Sequence, residues 1–231
     1  MTPIVFLPGM MCDARLFGPQ MDAFSAHHPV MCIPINRHDC VEALAQDVLD
    51  FAPKRFALAG LSMGGIVAME VVRQAPERVE RLALMDTNPL AEKDIVKAAR
   101  GPQIAAAQAG ELRCVMRDEM KPNYLTDGPN QSAILDLCMA MAMDQGPEVF
   151  VRQSQALMDR PDQSQTLRDY TRPALVLCGR DDELCPIHRH DLMHSLLPNS
   201  TLEIIENAGH LPTLENPTAT NKALKNWMEH A

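Results

Sequence analysis

Short, continuously apolar segments recur along this chain and alternate with segments that have the spacing of amphipathic helices. The apolar segments are residues 4–7, 30–35, 55–59, 81–85, 174–178 and 201–205. Short segments with apolar residues on both faces are typical of parallel strands covered by helices on two sides. Helices are predicted between them over 41–51, 66–74 and 216–229. The pattern predicts an α/β fold with a mostly parallel six-stranded sheet and helices on both faces.

One long interval, residues 89–170, interrupts this alternation because it contains no convincing strand. It shows helical patterns instead, over 91–109, 112–120, 131–143 and 147–158. Gly-Pro pairs and Asp127-Gly128-Pro129 separate them, as turns do between helices. We therefore expect a helical insertion over 89–170, placed after the fourth strand of a core built from residues 1–88 and 171–231.

Composition and charge exclude several classes of protein. The 231 residues suffice for one domain with an insertion, and the net charge of -9 argues against binding the phosphates of nucleic acids. No segment has the roughly 20 apolar residues that a membrane span needs, and the first residues lack the features of a signal peptide. The seven cysteines show no CxxC pair. An odd number of unpaired thiols is typical of a reducing compartment, so we expect a cytoplasmic protein. From its charge and the lack of an apolar span, we expect it to bind no nucleic acid and no membrane.

The segment Gly60-Leu61-Ser62-Met63-Gly64 follows the third predicted strand and opens a helix. This is a G-x-S-x-G motif in the strand–turn–helix context that raises a nucleophilic serine above a sheet. The turn also places the next backbone N–H at a helix N-terminus, where a developing oxyanion is stabilised. A plain glycine-containing turn is the alternative interpretation. The context favours Ser62 as a nucleophile.

A serine nucleophile needs a base and an acid that orients the base. Acidic residues follow the fifth strand in Gly179-Arg180-Asp181-Asp182-Glu183, and His210 follows the sixth. The chain order serine, acid, histidine is the one expected with this turn. His210 alone would be better explained as a hydrogen-bonded loop histidine, but the combination favours a catalytic role.

The loop after the first strand, Leu7-Pro8-Gly9-Met10-Met11-Cys12-Asp13, is where a second oxyanion donor is expected. Gly9 would let the backbone turn over the sheet, so that the N–H groups of Met10 and Met63 form an oxyanion hole. Contacts with the substrate are predicted for Gly9, Met11 and Cys12 in this loop and for Leu211, which follows His210.

Together these segments resemble the α/β-hydrolase superfamily, and in particular its small bacterial esterase-like members with a helical cap. The motifs are Leu7-Pro8-Gly9-Met10, Gly60-Leu61-Ser62-Met63-Gly64-Gly65, Gly179-Arg180-Asp181-Asp182 and Gly209-His210-Leu211-Pro212 with Glu215. The resemblance implies that Asp182 is the acid, that Asp86 is a rival position for it, and that the insertion is a cap over the active site. It also implies a minimal sheet, without two strands that often precede the oxyanion loop in the family.

Other residues are given structural roles. Met139, Met141 and Met143 are expected mainly in the core, with pocket lining as the alternative. His188, His190 and His194 are expected on an exposed helix face, and no metal site is predicted. No phosphate-binding loop or dinucleotide fingerprint is present in the sequence, so no cofactor is expected.

The sequence thus predicts a serine hydrolase that cleaves carboxylic esters of small, largely apolar substrates through an acyl-enzyme. A thioesterase, a lactonase and a carbon–carbon bond hydrolase use the same catalytic triad and remain open. A non-catalytic small-molecule receptor on the same scaffold is the alternative from another class. The expected partner is a small-molecule ester, and a homodimer is possible because an exposed edge strand can be covered by a second copy.

Overall fold

A single parallel sheet forms the centre of the molecule in the computed structural model, which describes residues 1–229. Its six strands lie in the order β2-β1-β3-β4-β5-β6. They are Ile4–Leu7 (β1), Val30–Cys32 (β2), Phe56–Leu61 (β3), Val79–Met85 (β4), Ala174–Gly179 (β5) and Ser200–Ile205 (β6). Every paired strand is parallel to its neighbour, so the predicted fold class is confirmed.

The second strand is shorter than the sequence predicts, because it ends at Cys32 and not at Ile35. The N–H of Ile33 still donates to the carbonyl oxygen of Phe6. Pro34 follows and has no N–H with which to continue the ladder. An apolar run that contains a proline therefore overestimates the length of its strand.

Both faces of the sheet are buried, as the uninterrupted apolar strands predict. Along β1, Val5 and Leu7 join the hydrophobic cluster on one face, while Ile4 and Phe6 join the cluster on the other. The helices of the first face are Val41–Phe51 (α2), Met63–Gln74 (α3), Ser164–Asp169 (α8) and Ile187–Leu196 (α9). On the second face lie Gly18–Phe24 (α1), Pro212–Glu215 (α10) and Pro217–Glu229 (α11).

Helices also fill most of the interval between β4 and β5. They are Asp94–Ala106 (α4), Leu112–Val115 (α5), Gln131–Gln145 (α6) and Pro147–Met158 (α7), and we call residues 94–158 the helical insertion. The first predicted helix, 91–109, begins later, at Asp94, and continues after Ala106 as a π-helical turn over Ala107–Glu111, which Gly110 interrupts with a φ of 91°. After the insertion, α8 packs against α3 and α9 in the layer that covers the sheet. No helix within residues 1–229 is both long and apolar enough to cross a membrane.

Candidate active site

Ser62 lies in the turn between β3 and α3 with a strained backbone, at φ 55° and ψ −117°. The turn is tight because α3 starts immediately above β1. A Cβ atom on Gly64 would lie 2.0 Å from the carbonyl oxygen of Leu7, and one on Gly60 would lie 2.2 Å from that of Gly64. The glycines of the motif are thus required by close backbone approach. Helix α3 begins directly after Ser62, three residues earlier than the sequence predicts.

The structure brings together the three residues of the expected triad from three different strand ends. The Nε2 atom of His210 is 2.9 Å from the Oγ atom of Ser62. The Nδ1 atom of His210 is 2.9 Å from the Oδ2 atom of Asp182. Both the imidazole and the carboxylate are buried. A proton can therefore pass from the serine hydroxyl to an imidazole whose other nitrogen is held by a carboxylate.

Asp182 is an ionised carboxylate in a buried position. Burial alone would raise the pKa of this carboxyl, but the charge of His210 and the hydrogen bonds from its ring and from Cys185 hold the pKa below the usual value. The second oxygen, Oδ1, accepts the backbone N–H groups of Leu184 and Cys185 at 2.9 and 3.0 Å. The carboxylate is thus oriented on both oxygens.

Asp86, the rival position for the acid, is hydrogen-bonded to the backbone of Gly179 and not to His210. Its Oδ1 atom accepts the N–H of Gly179 at 2.9 Å, and its carboxyl group lies beside that of Asp182. Complete burial, and then the charge of Asp182, raise the pKa of Asp86 well above its usual value. The raised pKa favours the protonated form of Asp86, and Asp182 is the carboxyl that contacts His210.

The loop that carries His210 is fixed by residues that sequence reasoning did not assign a role. The carboxylate of Glu215 accepts the N–H groups of Gly209 and Leu211, both at 3.0 Å. It also accepts the N–H of Thr126, at 2.9 Å, and the carbonyl oxygen of Tyr124 accepts the N–H of His210. Glu215 therefore joins the histidine loop to the chain that follows the short helix α5.

The first-strand loop forms a turn in which the N–H of Cys12 donates to the carbonyl oxygen of Gly9. Met11 takes a φ of 57° in this turn. Gly9 has no positive φ, and there is space for a Cβ atom at its position. Met10 and Met63 both border the cavity beside Ser62. Within the described part of the chain, neither of their N–H groups has a protein acceptor, as an oxyanion hole requires.

Gln153 of α7 anchors this turn, and nothing in the sequence signalled it. Its Oε1 atom accepts the N–H of Met11 at 2.8 Å, and its Nε2 atom donates to the carbonyl oxygen of Ile35 at 2.9 Å. The side chain is buried, so both bonds are shielded from water. The helical insertion thereby holds the loop of the expected oxyanion hole.

A cavity of about 250 Å³ opens beside Ser62. Six further residues predicted for the site border it: Gly9, Met10, Cys12, Met63, His210 and Leu211. Met11 does not, because its side chain is buried in the hydrophobic cluster that contains Val5. The helical insertion supplies Val96, Arg100, Met120, Tyr124 and Leu157 to the lining. None of Met139, Met141 and Met143 lines this cavity among the described residues, and Met141 is fully buried in the core.

The histidines of α9 correct one expectation. His188 and His194 are exposed, but His190 is fully buried, and its Nε2 atom accepts the N–H of Thr87. Burial lowers the pKa of His190 to about 4, so this imidazole is neutral. The prediction of an exposed face was wrong for His190 because its side of α9 packs toward the end of β4.

Possible metal ligands lie beside the triad, and all cysteines within the described residues are unpaired. Asp182, Cys185 and His210 offer potential ligand atoms within 4.8 Å of one another, but two of these residues are hydrogen-bonded to each other. The seven cysteines are free thiols. Burial raises the pKa of the Cys12 thiol well above its usual value, which disfavours the thiolate that a second nucleophile would need.

Comparison with known proteins agrees with this fold. A family model described as "Alpha/beta hydrolase family" matches residues 4–223. A pimeloyl-[acyl-carrier protein] methyl ester esterase from Klebsiella pneumoniae subsp. pneumoniae is 31% identical over 195 residues, which are 78% of this chain and 72% of that protein. The biotin biosynthesis bifunctional protein BioHC from Teredinibacter turnerae is 26% identical over 78% of this chain, and the match spans only 34% of that protein.

A solved structure is similar over nearly the whole chain. It is that of a thermophilic esterase from Thermogutta terrifontis, with a TM-score of 0.90 and 24% sequence identity. The superposition covers 99% of this chain and 89% of the esterase. This likeness shows the fold, and the family model covers nearly all of the sheet and its loops. The chain therefore belongs to the alpha/beta hydrolase family.

Proposed function

We propose that this protein is a serine hydrolase that cleaves carboxylic esters of small, largely apolar substrates. His210 takes the proton of the Ser62 hydroxyl while the oxygen attacks the ester carbonyl. The N–H groups of Met10 and Met63 stabilise the resulting oxyanion, and Asp182 stabilises the charged imidazole. His210 then gives the proton to the leaving alcohol.

The second half of the reaction releases the acid. An acyl group remains on the Ser62 oxygen after the alcohol has left. His210 takes a proton from a water molecule, and the hydroxide attacks the acyl carbonyl. The proton returns to Ser62 as the acid departs. One ester and one water are thereby converted to one acid and one alcohol.

A single observation carries this proposal, namely the chain of two hydrogen bonds, each 2.9 Å long, from Ser62 through His210 to Asp182. A surface serine or a structural histidine has no need of such a chain at a strained turn. The name of the Klebsiella pneumoniae relative, a methyl ester esterase, supports an ester as the substrate.

We assign the helical insertion, residues 94–158, to a cap and the rest of the described chain to the catalytic core. The predicted boundary at residue 170 is too late, because α8 packs against α3 and α9 in the layer that covers the sheet. The support is that the insertion lines the cavity beside Ser62 with apolar side chains such as Val96, Met120 and Leu157. Substrate size would accordingly be set by the insertion, and bond cleavage by the core.

The test is a Ser62→Ala variant measured on p-nitrophenyl esters and on a fluorophosphonate reagent that labels active serines. We expect kcat/KM to fall by about 10⁴-fold or more, and labelling to disappear. Ser132→Ala, which removes an exposed hydroxyl from α6, is the matched control and should keep both. Undiminished hydrolysis by the Ser62→Ala protein would rule out the assignment. Thioester, lactone and diketone substrates measured beside the esters identify which bond is cleaved fastest.

A further inference from the structure

We propose that the substrate carries a carboxylate in addition to its ester, and that Arg100 and Arg189 bind this carboxylate in the cavity that contains Ser62. This inference rests on the proposed esterase function and specifies its substrate class. The substrates would be half-esters of short dicarboxylic acids or esters of small hydroxy acids. The argument comes from the charges that line the cavity and from the donors that lack acceptors.

The cavity is positively charged although the chain is strongly acidic. The whole sequence has a net charge of -9. Arg100, Arg160 and Arg189 nevertheless line the cavity, and Glu92 is the one carboxylate among its described lining residues. Two positive charges are therefore left without a compensating charge in the lining. In a mostly apolar cavity such an excess favours an anionic ligand.

Arg160 is not one of the free donors, because it already has acceptors on all sides. Its Nε atom donates to the carbonyl oxygen of Leu90 at 3.0 Å. Its Nη1 and Nη2 atoms donate to the two carboxylate oxygens of Glu92 at 3.0 and 3.2 Å. This bidentate ion pair is nearly buried and has a structural role, since it joins the two ends of the helical insertion.

Arg100 is the partly satisfied member of the cluster. Its Nη2 atom is 3.3 Å from Glu92, and its Nη1 atom makes only a long contact, 3.9 Å, with the sulfur of Met10. Its Nε atom is buried and has no hydrogen-bond partner within residues 1–229. Arg100 lines the cavity, and its Nη1 atom has no oxygen acceptor within residues 1–229, so a ligand carboxylate can take that place. The contact with Met10 places Arg100 beside the expected oxyanion hole.

Arg189 provides the second positive charge in the lining of the cavity. It belongs to α9 in the core, it is half-buried, and its guanidinium makes no ion pair or hydrogen bond in the part of the chain that the structure describes. One arginine thus comes from the insertion and the other from the core. A planar carboxylate matches the fork of a guanidinium, and the cavity of about 250 Å³ limits the ligand to a small acid.

The test measures charge preference as a ratio of two kcat/KM values. Monoethyl succinate is compared with ethyl 4-methylpentanoate, in which an isopropyl group replaces the carboxylate. Ethyl acetate is compared with the acetate ester of glycolic acid to place the carboxylate on the alcohol side. We expect wild-type protein to prefer the anionic ester of at least one pair by about tenfold or more, as a charged hydrogen bond would give.

Arg189→Gln should reduce that preference by about tenfold, because it removes the charge and keeps a similar volume. The neutral ester is an internal reference, so a smaller amount of folded protein does not change the ratio. Arg117→Gln removes the same charge from an exposed site of the insertion and should leave the ratio unchanged. Arg189→Glu should reverse the order within the preferred pair.

Two results would overturn the inference: a wild-type ratio of one or less in both pairs, or an equal ratio in wild-type and Arg189→Gln proteins. The proposed function fails in a different way. If no ester of either kind is hydrolysed in a Ser62-dependent manner, the esterase assignment itself is wrong. If neutral esters are hydrolysed but no anionic ester is preferred, only the carboxylate site is wrong.

Discussion

Two carboxyl groups at neighbouring strand ends differ in protonation because their partners differ. Asp182 has a positively polarised imidazole and two N–H groups, and stays ionised. Asp86 has one N–H group and a negative neighbour, and its protonated form is favoured. The sequence places both near the same sheet edge, but only the folded contacts decide which one faces His210. Distinct roles for two carboxyls therefore follow from their surroundings.

The raised pKa of Asp86 predicts how stability depends on pH. In the unfolded chain this carboxyl ionises near its ordinary pKa of 3.8, whereas the folded protein keeps the proton to higher pH. The folded state binds more protons above that pH, so the contribution of Asp86 to stability falls as pH rises, by up to about 1.4 kcal/mol per pH unit. Asp86→Asn cannot ionise, so the difference in free energy of unfolding between this variant and wild-type protein should shift in favour of the variant as the pH rises above about 4.

Urea unfolding of both proteins across this pH range measures the difference. Asp181→Asn is the control, since it removes an exposed carboxyl from the loop that holds Asp182 and changes the net charge equally. An equal pH-dependent gain in that control would contradict the explanation by burial.

The residues of the candidate site are of two kinds, those whose positions follow from the strand order and those whose positions depend on helix docking. Ser62 directly follows β3, and Asp182 and His210 lie in the loops that follow β5 and β6, so the direction of the sheet collects them at one edge. Arg100, Gln153 and Glu92 lie on or before helices of the insertion, and their positions depend on how these helices dock. No local pattern distinguishes a docked arginine or glutamine from an exposed one, and these residues could not be predicted.

At the scale of elements, the junction of β1, β3 and α3 is fixed by backbone contact. Gly64 lets the first turn of α3 rest on the carbonyl group of Leu7, with no space for a side chain. Gly64→Ala should therefore destabilise the protein by about 3 kcal/mol or more, at or beyond the upper end of ordinary overpacking, because the backbone must move. The free energy of unfolding in urea gives the value.

Gly9→Ala is the matched control on the opposite side of the same junction. Its added Cβ atom would make ordinary contacts of 3.6 Å with Leu61 and Ser62, and Gly9 has no positive φ. We expect its stability to stay within about 1 kcal/mol of wild type. A similar loss in both variants would show that glycine acts here through chain flexibility and not through close packing.

Most elements could be predicted because their apolar pattern also determines their burial. Helix α2 spans Val41–Phe51, as its amphipathic spacing indicates. The errors occur where backbone chemistry overrides the pattern: Pro34 ends β2, and α3 starts early because the motif glycines form its first turn. In α9 the hydrophobic pattern is weak, so the sequence does not indicate that His190 lies on the buried face.

For the whole molecule, Gln153 is a buried polar connection between the helical insertion and the loops of the core. Gln153→Leu keeps the volume but leaves the N–H of Met11 and the carbonyl of Ile35 without partners. Each unsatisfied buried group costs about 1–3 kcal/mol, so stability should fall by roughly the sum. Activity per folded molecule should fall too, because the turn that carries Met10 loses its anchor.

Denaturant unfolding and kcat/KM on a p-nitrophenyl ester test both effects. Gln155→Leu is the control on the same helix, since its side chain bonds only to Asp159 one turn later. That surface change should alter stability by no more than about 0.5 kcal/mol. If the Gln153→Leu protein kept wild-type activity and stability, Gln153 would not be an anchor of the oxyanion loop.

The strained backbone of Ser62 places chemistry and folding in opposition at one residue. A φ of 55° is easy for glycine and unfavourable, by about 1–3 kcal/mol, for a residue with a side chain. Under the proposed function, glycine at position 62 would stabilise the fold and abolish the activity. Mutation and selection for stability alone would therefore erase the hydroxyl early. Under the proposed function, the reaction and not stability explains a serine at this turn.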